Sequence, residues 1–137
     1  MKDTPTGLMF SPVPTEYLSF VWDSVSKVLK KSVATAEGKY EVDDLFNCIM
    51  EDEIVLWIVV DHDKDDEIIA AITTRLIDYP RGRSMGMDWI GGTRMKEWLP
   101  MAQNVISRYA KDHNCKYLEG YGRKGWGRWL GKYGWKP

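Results

Sequence analysis

Gly91-Gly92-Thr93-Arg94 separates an apolar strand from a long helical pattern. Strand, glycine turn and helix N-terminus, in that order, present backbone N–H groups to an anion such as a pyrophosphate. The same glycine pair also serves a tight strand-to-helix turn with no ligand. A second glycine-rich stretch, Gly122-Arg123-Lys124-Gly125-Trp126, follows the next strand and leads to Gly134-Trp135. Residues 123–137 carry five basic side chains (Arg123, Lys124, Arg128, Lys132, Lys136) and no acid. A local basic end suits a phosphate-bearing ligand or nucleic acid; a solvated tail is the plainer alternative. Trp126, Trp129 and Trp135 in that end read as core pieces, a partner-facing surface or a stacking platform for bases.

Other reactive residues make weaker patterns. Asp61, Asp63, Asp65, Asp66 and Glu67 resemble a calcium loop, but an EF-hand needs Gly at its sixth position and Glu at its twelfth. Asp66 and Ile72 stand there, so this stretch is expected to be a solvated hairpin tip. His62 and His113 have no second ligand at metal spacing, and His113 is expected to complement a helix end. Cys48 and Cys115 form no CxxC pair and read as buried thiols, not as a disulfide or a nucleophile. No Ser-His-Asp set, P-loop or HExxH is present.

The elements that hold these residues follow from periodicity. Residues 7–13 read as a strand, made an edge strand by Pro12. Pro14-Thr15 opens a helix, with Thr15 as N-cap and Leu18, Val21, Trp22, Val25, Val28 and Leu29 on its apolar face. A shorter helix carries Val42, Leu45, Phe46 and Ile49, with Asp43 and Asp44 in its first turn, where they suit the dipole. The near-continuous apolar run Ile54–Val60 is a buried strand. Glu67–Ile77 is a second, and Met85–Ile90 a third, beyond a turn at Tyr79–Arg83. The pattern from Thr93 to His113 is helical, and Pro100 inside it predicts a kink or two abutting segments. Asn114 suits a left-handed C′ position. Lys116–Tyr121 is a strand and Trp126–Tyr133 a short helix.

The order is β, α, α, β, β, β, α, β, α. Three strands on short turns are antiparallel neighbours, and the strand–helix–strand step from Met85 to Tyr121 needs a crossover to a parallel strand. The expected fold class is therefore α/β, a mixed central sheet with helices on both faces, in one domain over residues 1–137. The formal charge of −1 and 44% hydrophobic content are those of an ordinary globular chain. No apolar stretch reaches the roughly 18 residues of a membrane span. Met1-Lys2-Asp3-Thr4-Pro5 lacks the apolar region of a signal peptide, so a cytoplasmic location is expected.

The element order, the meander, the Gly91-Gly92 turn and the closing Gly134-Trp135 pair resemble the GNAT-type N-acetyltransferase superfamily. The stretch Ala110–Cys115, with Gly122-Arg123-Lys124-Gly125-Trp126, is similar to small GNAT-like proteins encoded by bacteriophages. The resemblance covers roughly residues 7–135. It implies an acyl-CoA-dependent N-acyltransferase with acetyl-CoA as cofactor and an amine as acceptor, in a host cytoplasm or a virion. It also implies that acetyl-CoA lies in a wedge between the fourth and fifth strands. Gly91, Gly92, Thr93 and Arg94 match its pyrophosphate loop, although the Gly-x-Gly of that loop is missing. Arg123 at the end of the last strand faces the same wedge, as a phosphate or substrate ligand or as a structural ion pair.

Acyl transfer to an amine needs a base and an acid. The resemblance assigns the base to Asp88, whose lone carboxyl on an apolar strand would have a raised pKa; an ion-pair role is the alternative. The family's acid, a tyrosine four residues before the closing glycine, falls on Leu130 here, which leaves Tyr133 as the nearest candidate. The chain stops short of the last two strands of many members, so the fold is expected to be C-terminally truncated, with a covering hairpin missing or supplied by a homodimer partner. A non-catalytic GNAT-like protein that binds inside a virion or to a host protein is the second expectation. Nucleic-acid binding through the basic end is the third.

Overall fold

Strand β2 (Val55–Asp61) is the centre of the fold, and its unbroken apolar sequence has a direct cause. Both of its faces are covered. Trp57 and Val59 point into one apolar cluster with helix α3 (Met95–Asp112). Leu56, Ile58 and Val60 point into a second, with helices α1 (Leu18–Ala34) and α2 (Val42–Met50). Side chains alternate across a strand, so a strand between two helical layers cannot carry a polar face. Each large apolar side chain buried this way contributes about 1.5–3 kcal/mol. The computed structural model describes residues 7–34 and 41–120.

The remaining strands are β1 (Leu8–Pro12), β3 (Glu67–Tyr79), β4 (Gly82–Gly92) and β5 (Cys115–Gly120). They form one sheet in sequence order, β1 to β5. β1 to β4 are successive antiparallel neighbours, and β5 runs parallel to β4 after the α3 crossover. The expected mixed sheet with helices on both faces is present. The final helix expected over Trp126–Tyr133, the Trp-rich basic end and the C-terminal truncation lie outside the described residues.

Local chemistry explains the element ends. The chain enters α1 through a 3-10 turn at Thr15–Tyr17, preceded by Pro14 and not by a Thr15 side-chain cap. At α2 the Glu41 N–H donates to the Asp44 carboxylate at 2.8 Å, closing the first turn. Pro100 stands inside α3, which is one continuous element and not two abutting segments. The missing donor removes one bond to the Lys96 carbonyl. The buried row Trp98, Leu99, Met101, Ala102, Ile106 and Ala110 holds the helix on the sheet across that gap. Asn114 takes the left-handed conformation expected of it, at φ 63°. Arg83 donates to the carbonyl of His113 at 3.1 Å, tying the end of α3 to β4 where β5 begins.

The α3 layer is knitted by aromatic contacts. Trp57 stacks on Phe10 at 5.3 Å and meets Tyr109 edge-on at 5.1 Å. Its indole N–H donates to the Thr74 hydroxyl at 2.9 Å, so the buried ring leaves no orphan donor. On the opposite face α1 crosses β3 and β4 so closely that a Cβ on Gly91 would lie 2.1 Å from the Val28 carbonyl oxygen. The obstructing atoms belong to the helix backbone, which cannot swing aside as a side chain can. Gly91→Ala is therefore expected to destabilise the fold by about 1–3 kcal/mol, read as a lower urea midpoint at unchanged m-value. A midpoint equal to wild type would mean that α1 does not sit this close to β4.

Candidate functional site

The site is built along the second half of β4 and the turn that follows it. The two strands pair from Arg83 opposite Cys115 to Met87 opposite Gly120. β4 continues to Gly92, and among the described residues nothing pairs with that edge beyond Met87. β4 is irregular just past Met87. On the β3 side, Thr74 faces Met87 and Thr73 faces Trp89, so Asp88 is an extra residue with no partner across the ladder. Met85, Met87 and Ile90 all join the α3 cluster, whereas Trp89 joins the α1 cluster. Strict alternation from Met85 would have put Met87 and Trp89 on one face and Ile90 on the other. The bulge at Asp88 breaks that period. The Asp88 side chain itself lies outside the described residues.

Beyond the bulge the register is regular, with Ile72 opposite Ile90, Ala71 opposite Gly91 and Ala70 opposite Gly92. Thr93 N–H donates to the Ile69 carbonyl at 3.0 Å. In an antiparallel ladder alternate residues face the partner strand. Gly91 thus directs its amide at β3 with Thr93, while Ile90 and Gly92 direct theirs away from β3. Gly92 has φ 127°, and a Cβ there would lie 2.3 Å from the Ile69 carbonyl oxygen. The two glycines therefore have separate causes: Gly91 admits a helix backbone, and Gly92 turns the chain into α3.

Arg94 precedes α3 in the left-handed conformation at φ 59°. Its guanidinium forks onto Glu97 at 2.8 and 2.9 Å and also binds Asp61 at the end of β2. Hydrogen bonding to Arg94 holds the Asp61 carboxyl below the usual carboxylate range, against the effect of burial, with the Asp63 N–H adding to the lowering. The same bonding lowers Glu97. Hydrogen bonding to Glu97, then to Asp61, pushes Arg94 further above its usual value. The cation that the sequence offers to a phosphate is thus already balanced by two carboxylates. At the start of α3 the Glu97 N–H donates to the Arg94 carbonyl at 3.0 Å, and the dipole of the helix N-terminus favours an anion there.

Sequence reasoning missed Asp61. It reads as the first residue of a solvated acidic loop, yet only 3% of it is exposed. Its neighbours from His62 to Glu67 are exposed as expected. Cys48 and Cys115 are both free and partly buried, and burial pushes each thiol up, which leaves them unsuited to nucleophilic work. His113 donates from Nδ1 to the Tyr109 carbonyl at 2.8 Å, which fits a helix-end role. Of the residues the sequence singles out, Gly91, Gly92, Thr93 and Arg94 form the turn from β4 into α3, with Asp88 at the β4 bulge before it. Arg123 and Tyr133 lie outside the described residues.

No protein-family model matches the chain, and no curated protein does. Solved structures do match. A GNAT family acetyltransferase from Staphylococcus aureus shares 11% identity over 96% of this chain and 93% of its own, with a TM-score of 0.61. Glucosamine-6-phosphate N-acetyltransferase from Arabidopsis thaliana shares 14% over 95% and 92%, with a TM-score of 0.65. The aminoglycoside antibiotic 6'-N-acetyltransferase from Acinetobacter baumannii shares 11% over 96% and 92%, with a TM-score of 0.66. At such identities the likeness is one of fold, and that fold is the one found in GNAT acetyltransferases. No helix among the described residues is long and apolar enough to cross a membrane.

The Arg94 cluster has a signature in acid. Asp61 and Glu97 have lowered pKa values, so their contribution to stability is present above their unfolded values, about 3.9 and 4.3. It is lost as pH falls through the folded values. Arg94→Gln is expected to be less stable than wild type at neutral pH, with the gap narrowing below about pH 4. Thermal melts of both proteins across that range measure it. A gap that does not change with pH would mean that the ion pairs contribute nothing.

Proposed function

We propose that the chain is an acyl-CoA-dependent N-acyltransferase that uses acetyl-CoA. The observation that carries this reading is the turn from the bulged strand β4 into the N-terminus of the 18-residue α3. Acetyl-CoA supplies the activated acyl thioester. The dipole of a helix N-terminus after a glycine turn is what its pyrophosphate requires.

In this reading the amides of Gly92 and of the first turn of α3 receive the pyrophosphate. Gly91 and Thr93 shape the turn. Arg94 braces it through Asp61 and Glu97, and Arg123 is a further candidate cation for the phosphates. Asp88 takes the proton from the acceptor ammonium, and the Tyr133 hydroxyl is the proton source on the other side of the reaction. Amino sugars are the first acceptors to screen, because two of the solved relatives are named for glucosamine-6-phosphate and aminoglycosides. A phage-encoded source, which the Gly122–Trp126 pattern suggests, belongs to the same reading.

A second reading is a non-catalytic GNAT-like protein that acts by binding another protein. The engagement of Arg94 by two carboxylates and of the Thr93 amide by Ile69 favours it. Titration calorimetry with acetyl-CoA separates the two. Saturable binding is expected, and no heat at millimolar cofactor would leave only the second reading. Asp88→Asn is expected to lower kcat on the order of a hundred- to ten-thousandfold while acetyl-CoA still binds. Unaltered acetylation by that variant would remove Asp88 as the base.

A further inference from the structure

A groove of about 410 Å³ lies at the end of the sheet where β1 finishes and β2 starts. Val13, Ile49 and Ile54 form its buried apolar floor, Tyr109 borders it from α3, and Glu16 and Asp52 stand exposed on its rim. It is separate from the β4–α3 turn. β2 begins at the groove and ends at Asp61, which binds Arg94 of that turn. A strand of seven residues spans roughly 20 Å. The rim carries an electrostatic cost that the fold does not need. Residues 41–53 hold six acids (Glu41, Asp43, Asp44, Glu51, Asp52, Glu53) and no basic residue. Asp43 and Asp44 suit the start of α2, but Glu51, Asp52 and Glu53 follow its C-terminus, where the dipole disfavours carboxylates. Asp52 also takes the left-handed conformation, at φ 61°, a place that glycine or asparagine fills without a charge. Among the described residues no cation pairs with Glu16, Glu51 or Asp52.

We infer that this groove is a docking site for a basic segment of a partner protein, which sets an apolar side chain on Val13, Ile49 and Ile54 and a lysine or arginine against Glu16 and Asp52. The inference does not depend on the acyltransferase reading. Apolar surface continues along the elements of the rim. Phe20 is 84% exposed, its ring centroid 6.5 Å from that of the exposed Tyr17, and Met50, next to Ile49, is exposed as well. Aromatic and methionine side chains are enriched at protein interfaces, and a small cation in the groove would leave these three in water. An anionic rim repels the phosphates of nucleic acid. A symmetric dimer through this face would set acid against acid, because each copy presents the same rim. Charge and apolar area together fit a cationic segment with an apolar anchor.

The probe is an acetylated, amidated hexapeptide with two leucines between pairs of lysines, titrated into the full chain and followed by NMR amide shifts. One control peptide exchanges the leucines for serines, the other the lysines for glutamates. The lysine–leucine peptide is expected to move the amides of Val13, Ile54 and Tyr109. The serine peptide should bind at least about tenfold more weakly, and the glutamate peptide not at all. Glu16→Gln combined with Asp52→Asn should weaken the lysine–leucine peptide on the order of tenfold and flatten its salt dependence. That variant should fold at least as stably as wild type, since asparagine suits the left-handed position and relieves the helix dipole. Lost binding would then not be lost structure. No shifts at the groove, equal binding by either control peptide, or full binding by the double variant overturns the inference. So does a concentration-dependent dimer in sedimentation that Phe20→Ser dissolves, which would give this face to a second copy. Acetyl-CoA should leave the peptide titration unchanged, whether or not it binds; competition between the two would overturn the separation of the groove from the β4–α3 turn.

Discussion

The pairing of β3 with β4 is the constraint on which the rest depends. It runs from Ala70 opposite Gly92 to Tyr79 opposite Gly82 and contains one extra residue, Asp88. That single insertion decides which core each later side chain joins. Before it Met85 and Met87 pack under α3; after it Trp89 turns to α1, and Gly91 meets the α1 backbone. Without it the strand would present a different set of side chains to each layer. The division of β4 side chains between the two layers thus has one origin.

The turn after β4 shows a different solution to charge from the one the sequence suggests. A cation beside a glycine turn and a helix start reads as a phosphate ligand. Here Arg94 links three elements instead: the end of β2 through Asp61, the turn itself, and the first turn of α3 through Glu97. Carboxylates near a helix N-terminus are favourable in themselves, and Arg94 makes a buried Asp61 tolerable at that depth. Rigidity of the turn is the result. A ligand phosphate would be met by backbone dipoles held in place and not by a mobile cation.

Much of this fold is legible in the chain. β2 can be located because a strand covered on both sides must be apolar throughout, and α1 because Leu18, Val25 and Leu29 recur on one face. Asn114 is legible because few other residues tolerate its conformation. The crossover from β4 to β5 follows from the length of α3. What is not legible is what depends on contacts distant in sequence. The bulge leaves no local mark, since Met87, Asp88 and Trp89 read equally well as plain alternation. Asp61 looks solvated because its partner lies thirty-three residues away. Gly91 reads as a turn glycine because nothing local announces the Val28 carbonyl above it. Pro100 reads as a breaker because the sequence does not weigh the buried row of α3 against one lost hydrogen bond.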